Sequence, residues 1–285
     1  MTLRELLKKS EDILRASGVD FPDIDARLLL EASLELPERE QRLHLSHEIS
    51  KEKEEKSLAF INRRAEGEPL QYITGYWEFF SQKFFVGKGV LIPRDDTEVV
   101  LRASLEFLKN TKKDNLRILD ICSGSGILAI TLKNQFPSAE VTAIEISEDA
   151  LLYLRKNALY HNADIEIVEG DLFEKHKGFS EEHFDLIISN PPYITGEDMK
   201  ALQKEVLFEP ELALFGGEDG CDFIRGIVSL YTKKLRKGGM LALELDAEEA
   251  LYTAELMKDA GYESINILDD LGGIHRAVTG IRSMQ

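Results

Sequence analysis

The chain has 285 residues, long enough for one large α/β domain and a smaller companion. Hydrophobic residues make up 43% and charged residues 31%, which excludes a disordered chain, and no run reaches the ~20 apolar residues of a membrane helix. The net charge of −17 is shared by the first 86 residues and the remainder, so neither part has the bulk positive field of a nucleic-acid binder; only a local basic patch stays open.

The chain begins Met1-Thr-Leu-Arg-Glu-Leu-Leu-Lys-Lys, without the apolar core and small-residue cleavage site of a signal peptide. Cys122 and Cys221 are too few for a disulfide framework, and a reducing cytoplasm is the expected compartment. Leu3, Leu6, Leu7, Ile13 and Leu14 recur at helical spacing, and 25–36 and 51–65 continue that pattern. Residues 1–70 therefore read as a helical bundle punctuated by Pro22 and Pro37, with Lys51–Lys56 as a solvated face. His44 and His47 lie three apart, without the further ligands a metal site needs, and no metal is expected. Between residues 71 and 93 the chain turns aromatic and β-rich around Gly75, Gly87 and Gly89, which predicts a hairpin linker.

From 94 to 285, strands and helices alternate, the pattern of a doubly wound α/β sheet. The expected strands are 117–121, 140–146, 165–169, 184–190, 240–245, 264–269 and 275–281. Only a short Gly272-Gly273 segment joins the last two, too little for a crossover helix, so they should pair antiparallel. Seven strands ending in an antiparallel hairpin describe the Rossmann-like fold of class I methyltransferases.

Candidate ligand residues fall at successive strand ends. The first strand runs into Cys122-Ser123-Gly124-Ser125-Gly126 and then an apolar helix, a turn that lets backbone approach a ligand. A dinucleotide site would want a third glycine two residues on; its absence favours a nucleoside cofactor without phosphates. Glu145 ends the second strand, placed to accept from ribose hydroxyls. Asp171 follows the third where an adenine edge would be read, with Phe173 as a stacking ring. Singly, these are a tight turn and helix caps; in series they point to S-adenosylmethionine.

The fourth strand leads into Asn190-Pro191-Pro192-Tyr193. Two prolines fix φ and remove two donors, leaving carbonyls free in set directions. Beside them, an Asn amide and an aromatic ring can hold a planar NH₂ group. Asn190 is also expected to touch the cofactor.

These residues, together with Arg64-x-x-Gly67-Glu68-Pro69-Leu70-Gln71-Tyr72-Ile73, Leu91-Ile92-Pro93-Arg94, Glu209-Pro210 and Asp270-Leu271-x-Gly273, span nearly the whole chain. They resemble the peptide-chain release factor protein-(glutamine-N5) methyltransferases, the PrmC/HemK family. That resemblance implies cofactor contacts at Cys122–Gly126, Glu145, Phe173 and Asn190, and a substrate glutamine held by Asn190, Pro191, Pro192 and Tyr193. It implies that the glutamine lies in a Gly-Gly-Gln loop of class 1 release factors, which the helical domain helps to bind. Three positions depart from the family pattern: Asp95-Asp96, Cys122 and Asp246 stand where Pro-Glu, Gly and Gly are usual.

The expected chemistry follows. An amide nitrogen is a poor nucleophile until acceptors, here the Asn190 side-chain oxygen and the Pro191 carbonyl, hold both hydrogens and aim its lone pair. Tyr193 would pack on the amide plane. An amino methyltransferase acting on flipped adenine or guanine needs the same pocket but also a basic face, and a non-catalytic binding module would not need the tetrapeptide.

Overall fold

A computed structural model describes residues 1–284. Two compact units emerge: Met1–Trp77 with Gln203–Phe208, and Glu78–Leu202 with 209–285.

The first unit is helical. Helix α1 (Leu3–Ala16) starts at Thr2, whose hydroxyl accepts from Glu5 N while Glu5 accepts the Thr2 N–H, a reciprocal capping box. Pro22 opens α2 (Pro22–Leu34), where its missing N–H costs nothing. A single turn, α3 (Glu38–Gln41), precedes α4 (Lys51–Ala65), and α5 (Leu70–Thr74) ends on Gly75 at φ +81°. Leu14, Ala26, Leu29 and Ile61 interlock as its core. Beneath them Arg64 Nε donates to Asp25 at 2.7 Å and Nη2 to Glu205 at 2.5 Å, so the returning segment 203–208 is tied in by charge. The linker region contains β1 (Tyr76–Phe79) and β2 (Gln82–Phe85), paired around Phe80 and Ser81, both at positive φ as a tight primed turn requires.

The second unit is a seven-stranded sheet. Helix α6 (Thr97–Asn110) leads to β3 (Arg117–Ile121), α7 (Ile127–Gln135), β4 (Glu140–Glu145), α8 (Glu148–Tyr160), β5 (Glu166–Glu169), α9 (Leu172–Lys175) and β6 (Phe184–Ser189). After a long connection come α10 (Asp222–Tyr231), β7 (Leu235–Glu244), α11 (Ala250–Asp259), β8 (Tyr262–Asp269) and β9 (His275–Arg282). The strand order is β5-β4-β3-β6-β7-β9-β8. β9 is antiparallel to both neighbours, as the short Gly272-Gly273 link predicts. β7 begins five residues earlier than expected because Gly238 and Gly239, which read as a turn, are carried within the strand.

Period-two side-chain alternation divides the core. Ile118, Leu186, Ile188, Met240 and Ala242 join one cluster; Leu119, Ile121, Ile187, Leu241 and Leu243 join the one on the opposite face. Strands buried on both faces cannot alternate with polar residues, which is why 184–189 is a near-continuous apolar run. From β3 the chain winds outward through β4 to β5, then returns to the other side of β3 at β6. Strand order reverses there, and a crevice forms outside the carboxyl ends of β3 and β6.

Candidate active site

A cavity of about 230 Å³ opens at that switch point, entirely within the second unit. Ile121 and Ser189, the last residues of β3 and β6, are register partners, and Ser189 Oγ donates to the Ile121 carbonyl at 2.5 Å. The loops 122–126 and 190–193 therefore leave the sheet side by side.

The 122–126 loop curls through three left-handed residues: Cys122 at φ +59°, Gly124 at +55° and Gly126 at +85°. This bends the Gly124 N–H onto Glu145 Oε2 at 2.7 Å. Cys122 takes a conformation natural to glycine, at a cost of about 1 kcal/mol or more. Burial pushes its thiol pKa well up, so it is not a thiolate nucleophile. Under the loop, Asp120 accepts from Ala129 N at 3.1 Å through Oδ2, while Oδ1 is buried without a partner. Burial raises its pKa to about 7.

Glu145 is largely committed to its own backbone. Beyond Gly124, its Oε1 accepts from Ile146 N at 2.9 Å and Ser147 N at 2.8 Å. A carboxylate has about four acceptor positions, so one stays open, and a second hydroxyl would have to share or displace a backbone bond. Asp171 lines the cavity and also caps α9, its Oδ1 accepting from Phe173 N at 2.9 Å. Phe173 stands 5.9 Å from Phe223, ring centre to ring centre, as an apolar wall.

In the tetrapeptide, Asn190 and Pro192 line the cavity, whereas Pro191 and Tyr193 are not part of its lining. Pro191 is buried and Tyr193 half-buried. Burial, reinforced by the Glu244 carboxyl, pushes the Tyr193 pKa up and keeps the phenol neutral. The exit strand is clamped: Ile194 N donates to Leu214 O and Gly216 N to Ile194 O, both at 2.9 Å. Asn190 Nδ2 donates to Thr97 Oγ1 at 3.3 Å. Arg94 and Ile92 N both bind the Glu209 carboxylate, the latter at 2.9 Å, pinning the 91–94 rim to the 209–213 rim.

The three departures from pattern have distinct outcomes. Asp96 and Asp246 both face Arg276, at 3.3 and 3.9 Å, with Asp270 at 3.1 Å. Asp246 sits at φ −80°, so its position demands no glycine. Cys122 alone carries backbone strain. Sequence reasoning did not find Thr97 or Phe223 as site residues; Thr97 lies three residues beyond the Leu91–Arg94 block noted for its resemblance, and Phe223 stands in the first turn of a helix far along the chain. Among the described residues no cluster of three metal-ligating side chains exists, and His44 and His47 face each other, Nδ1 to Nδ1, at 3.0 Å.

A switch-point crevice floored by a glycine-rich turn, in a sheet whose last strand is antiparallel, defines a class I methyltransferase fold. Residues 98–215 match the methyltransferase small domain, and residues 5–75 match the PrmC N-terminal domain. The chain is 38% identical over 99% of its length, and 99% of the relative's, to a release factor glutamine methyltransferase of Deinococcus radiodurans. It is 36% identical, with the same coverage, to one of Clostridium acetobutylicum. Among solved structures, the hMettl16 catalytic domain bound to MAT2A 3′UTR hairpin 1 shares the fold, with TM-score 0.57, 13% identity and coverage of 85% of this chain and 84% of that one. The chain belongs to the release factor glutamine methyltransferase family.

Proposed function

We propose that the protein transfers a methyl group from S-adenosylmethionine to the side-chain amide nitrogen of the Gly-Gly-Gln glutamine of class 1 release factors. The observation that carries this reading is Asn190, a carboxamide at the cavity wall whose Nδ2 is spent on Thr97, leaving Oδ1 to accept a substrate N–H. The cavity suits a nucleoside: a close-approach glycine at 124, an open acceptor position on Glu145 and the Phe173–Phe223 wall. Ser123, Ser125, Gly126 and Asp171 complete the cofactor side of this assignment. The cofactor supplies an electrophilic sulfonium methyl: an N–CH₃ bond forms as S–CH₃ breaks, the electron pair stays on sulfur and the nitrogen releases one proton to water.

In this reading Asn190 Oδ1 and the Pro191 carbonyl accept the two amide hydrogens, and Pro192 and Tyr193 fix the kink that aims them. These acceptors orient the nitrogen and stabilise positive charge growing on it, without reorganising in the transition state. The helical unit would hold the body of the release factor. No metal takes part.

The test is transfer of labelled methyl to a release factor, to its Gln→Ala variant, and to DNA and RNA. Label is expected on the intact release factor alone, and Asn190→Ala should lower kcat on the order of 10²–10³-fold. Label on nucleic acid alone, or undiminished transfer by Asn190→Ala, overturns the assignment.

A further inference from the structure

We propose that Asn157, on α8, is a positioning residue that ties the cofactor loop 122–126 to strand β2, so that cofactor binding and the seating of β2 strengthen each other. The proposal rests on the reading that puts the cofactor in the switch-point cavity. Residues 83, 85, 87 and 89 run antiparallel along one face of α8, and each two-residue step matches one helical turn, about 6 Å for both. At the first step the Lys83 carbonyl accepts from His161 Nε2 at 2.8 Å. At the second, Asn157 takes the place of a neighbouring strand: its Oδ1 accepts from Phe85 N at 2.7 Å and its Nδ2 donates to Phe85 O at 3.0 Å. At the third and fourth, glycines bring the chain closer than a side chain allows. A Cβ on Gly87 would lie 2.2 Å from Tyr153 Oη, and one on Gly89 2.5 Å from Asp149 Cβ.

Asn157 also reaches the cofactor loop. Its second Nδ2 hydrogen goes to Ser125 O, at 2.9 Å. The orientation of this carboxamide is unambiguous, because only NH₂ can serve two carbonyls and only the oxygen can accept from an N–H. Asn157 is fully buried, so parting either backbone from it strands a donor or an acceptor out of reach of water. The cavity is lined from both ends of this bridge, by Ser123, Gly124 and Ser125 of the loop and by Gly89, Val90 and Leu91 of the chain beyond β2. A ligand touching both holds together what Asn157 holds together. By linkage the effect is reciprocal: the bridge favours the ligand as much as the ligand favours the bridge.

The test is calorimetric binding of S-adenosylhomocysteine to the full-length protein. Asn157→Leu, which keeps the branched shape and removes every polar atom, should raise Kd about 5- to 150-fold. With cofactor and release factor both saturating, kcat stays within about 3-fold, a split that places the defect in binding. Gly87→Ala wedges the chain off Tyr153 without entering the cavity lining, and raises Kd in the same direction. Adding Tyr153→Leu removes the atoms it strikes and restores wild-type binding. A loss of stability alone would lower the melting temperature and leave the Kd of the folded enzyme unchanged. In the wild type, saturating S-adenosylhomocysteine slows amide exchange at Phe85, and exchange there that ignores the ligand overturns the coupling. So does an unchanged Kd in Asn157→Leu, or in Gly87→Ala should the first variant not fold, while wild-type binding leaves the functional reading standing. A wild type that does not bind S-adenosylhomocysteine sinks the functional reading and the coupling with it.

Discussion

Gly216 packs against the tetrapeptide more closely than any side chain could. A Cβ there would lie 2.6 Å from Tyr193 Cα, 2.7 Å from the Pro192 carbonyl oxygen and 2.6 Å from the Gly220 carbonyl oxygen. All three are backbone atoms, so no flexible side chain can yield. Reaching ordinary contact near 3.4 Å requires about 0.8 Å of movement, and the tetrapeptide or the 216–220 loop must supply it. Overpacking of this kind costs about 1–3 kcal/mol. For a unit of this size that is a fall in melting temperature of roughly 2–12 °C. The larger effect falls on chemistry, because a 1 Å misplacement of reacting groups can cost on the order of 10²-fold. Gly216→Ala is therefore expected to cut methyl transfer on the order of 10²-fold at temperatures where the variant is fully folded. The matching control is Gly178→Ala, where a Cβ meets nothing within 4 Å; it should stay within about 0.5 kcal/mol and keep full activity. Calorimetry with single-turnover methyl transfer decides. A Gly216→Ala enzyme that melts and turns over like the control would show that the tetrapeptide is not held by this loop.

Arg64→Ala strips the partner from buried Asp25 and should destabilise the helical unit by about 3–5 kcal/mol, whereas Arg64→Met with Asp25→Leu recovers most of the loss; denaturant titration compares them. Cys122→Val places a β-branched residue at φ +59° and should cost about 1–2 kcal/mol, while Cys122→Gly exchanges strain for chain entropy and stays within about 1 kcal/mol of wild type. Asp120 has a folded pKa raised from 3.8 to about 7, so the native state binds its proton more tightly. Its contribution to stability is full below pH 3.8 and is lost as pH rises to about 7. Asp120→Asn should flatten that segment of the stability–pH curve, and equal slopes in the two proteins would contradict the burial argument.

Strand ends were legible because buried parallel strands leave apolar runs, and the chemistry follows them within a few residues. That logic located 122–126, Glu145, Asp171 and Asn190 along one sheet edge. It could not see Thr97, which meets Asn190 across 93 positions, nor Glu244, which looks like any strand-end acid until its burial is known. Glu145 shows another limit: sequence marks an acceptor, but not that backbone N–H groups already occupy most of it. The left-handed turn at Cys122 was hidden for a simpler reason. A cysteine carries no local signal for positive φ; only the resemblance, with glycine at that place, hinted at it.

The helical unit includes Gln203–Phe208, supplied by the connection that follows the tetrapeptide. It is therefore not a cassette that one cut can remove. Deleting residues 1–77 would strip Glu205 of Arg64 and leave Val206, Leu207 and Phe208 without their unit, while expressing 1–77 alone would leave Arg64 short of one carboxylate. Grafting this unit onto another methyltransferase means moving two pieces of chain, and any lineage that exchanged it had to keep both in step.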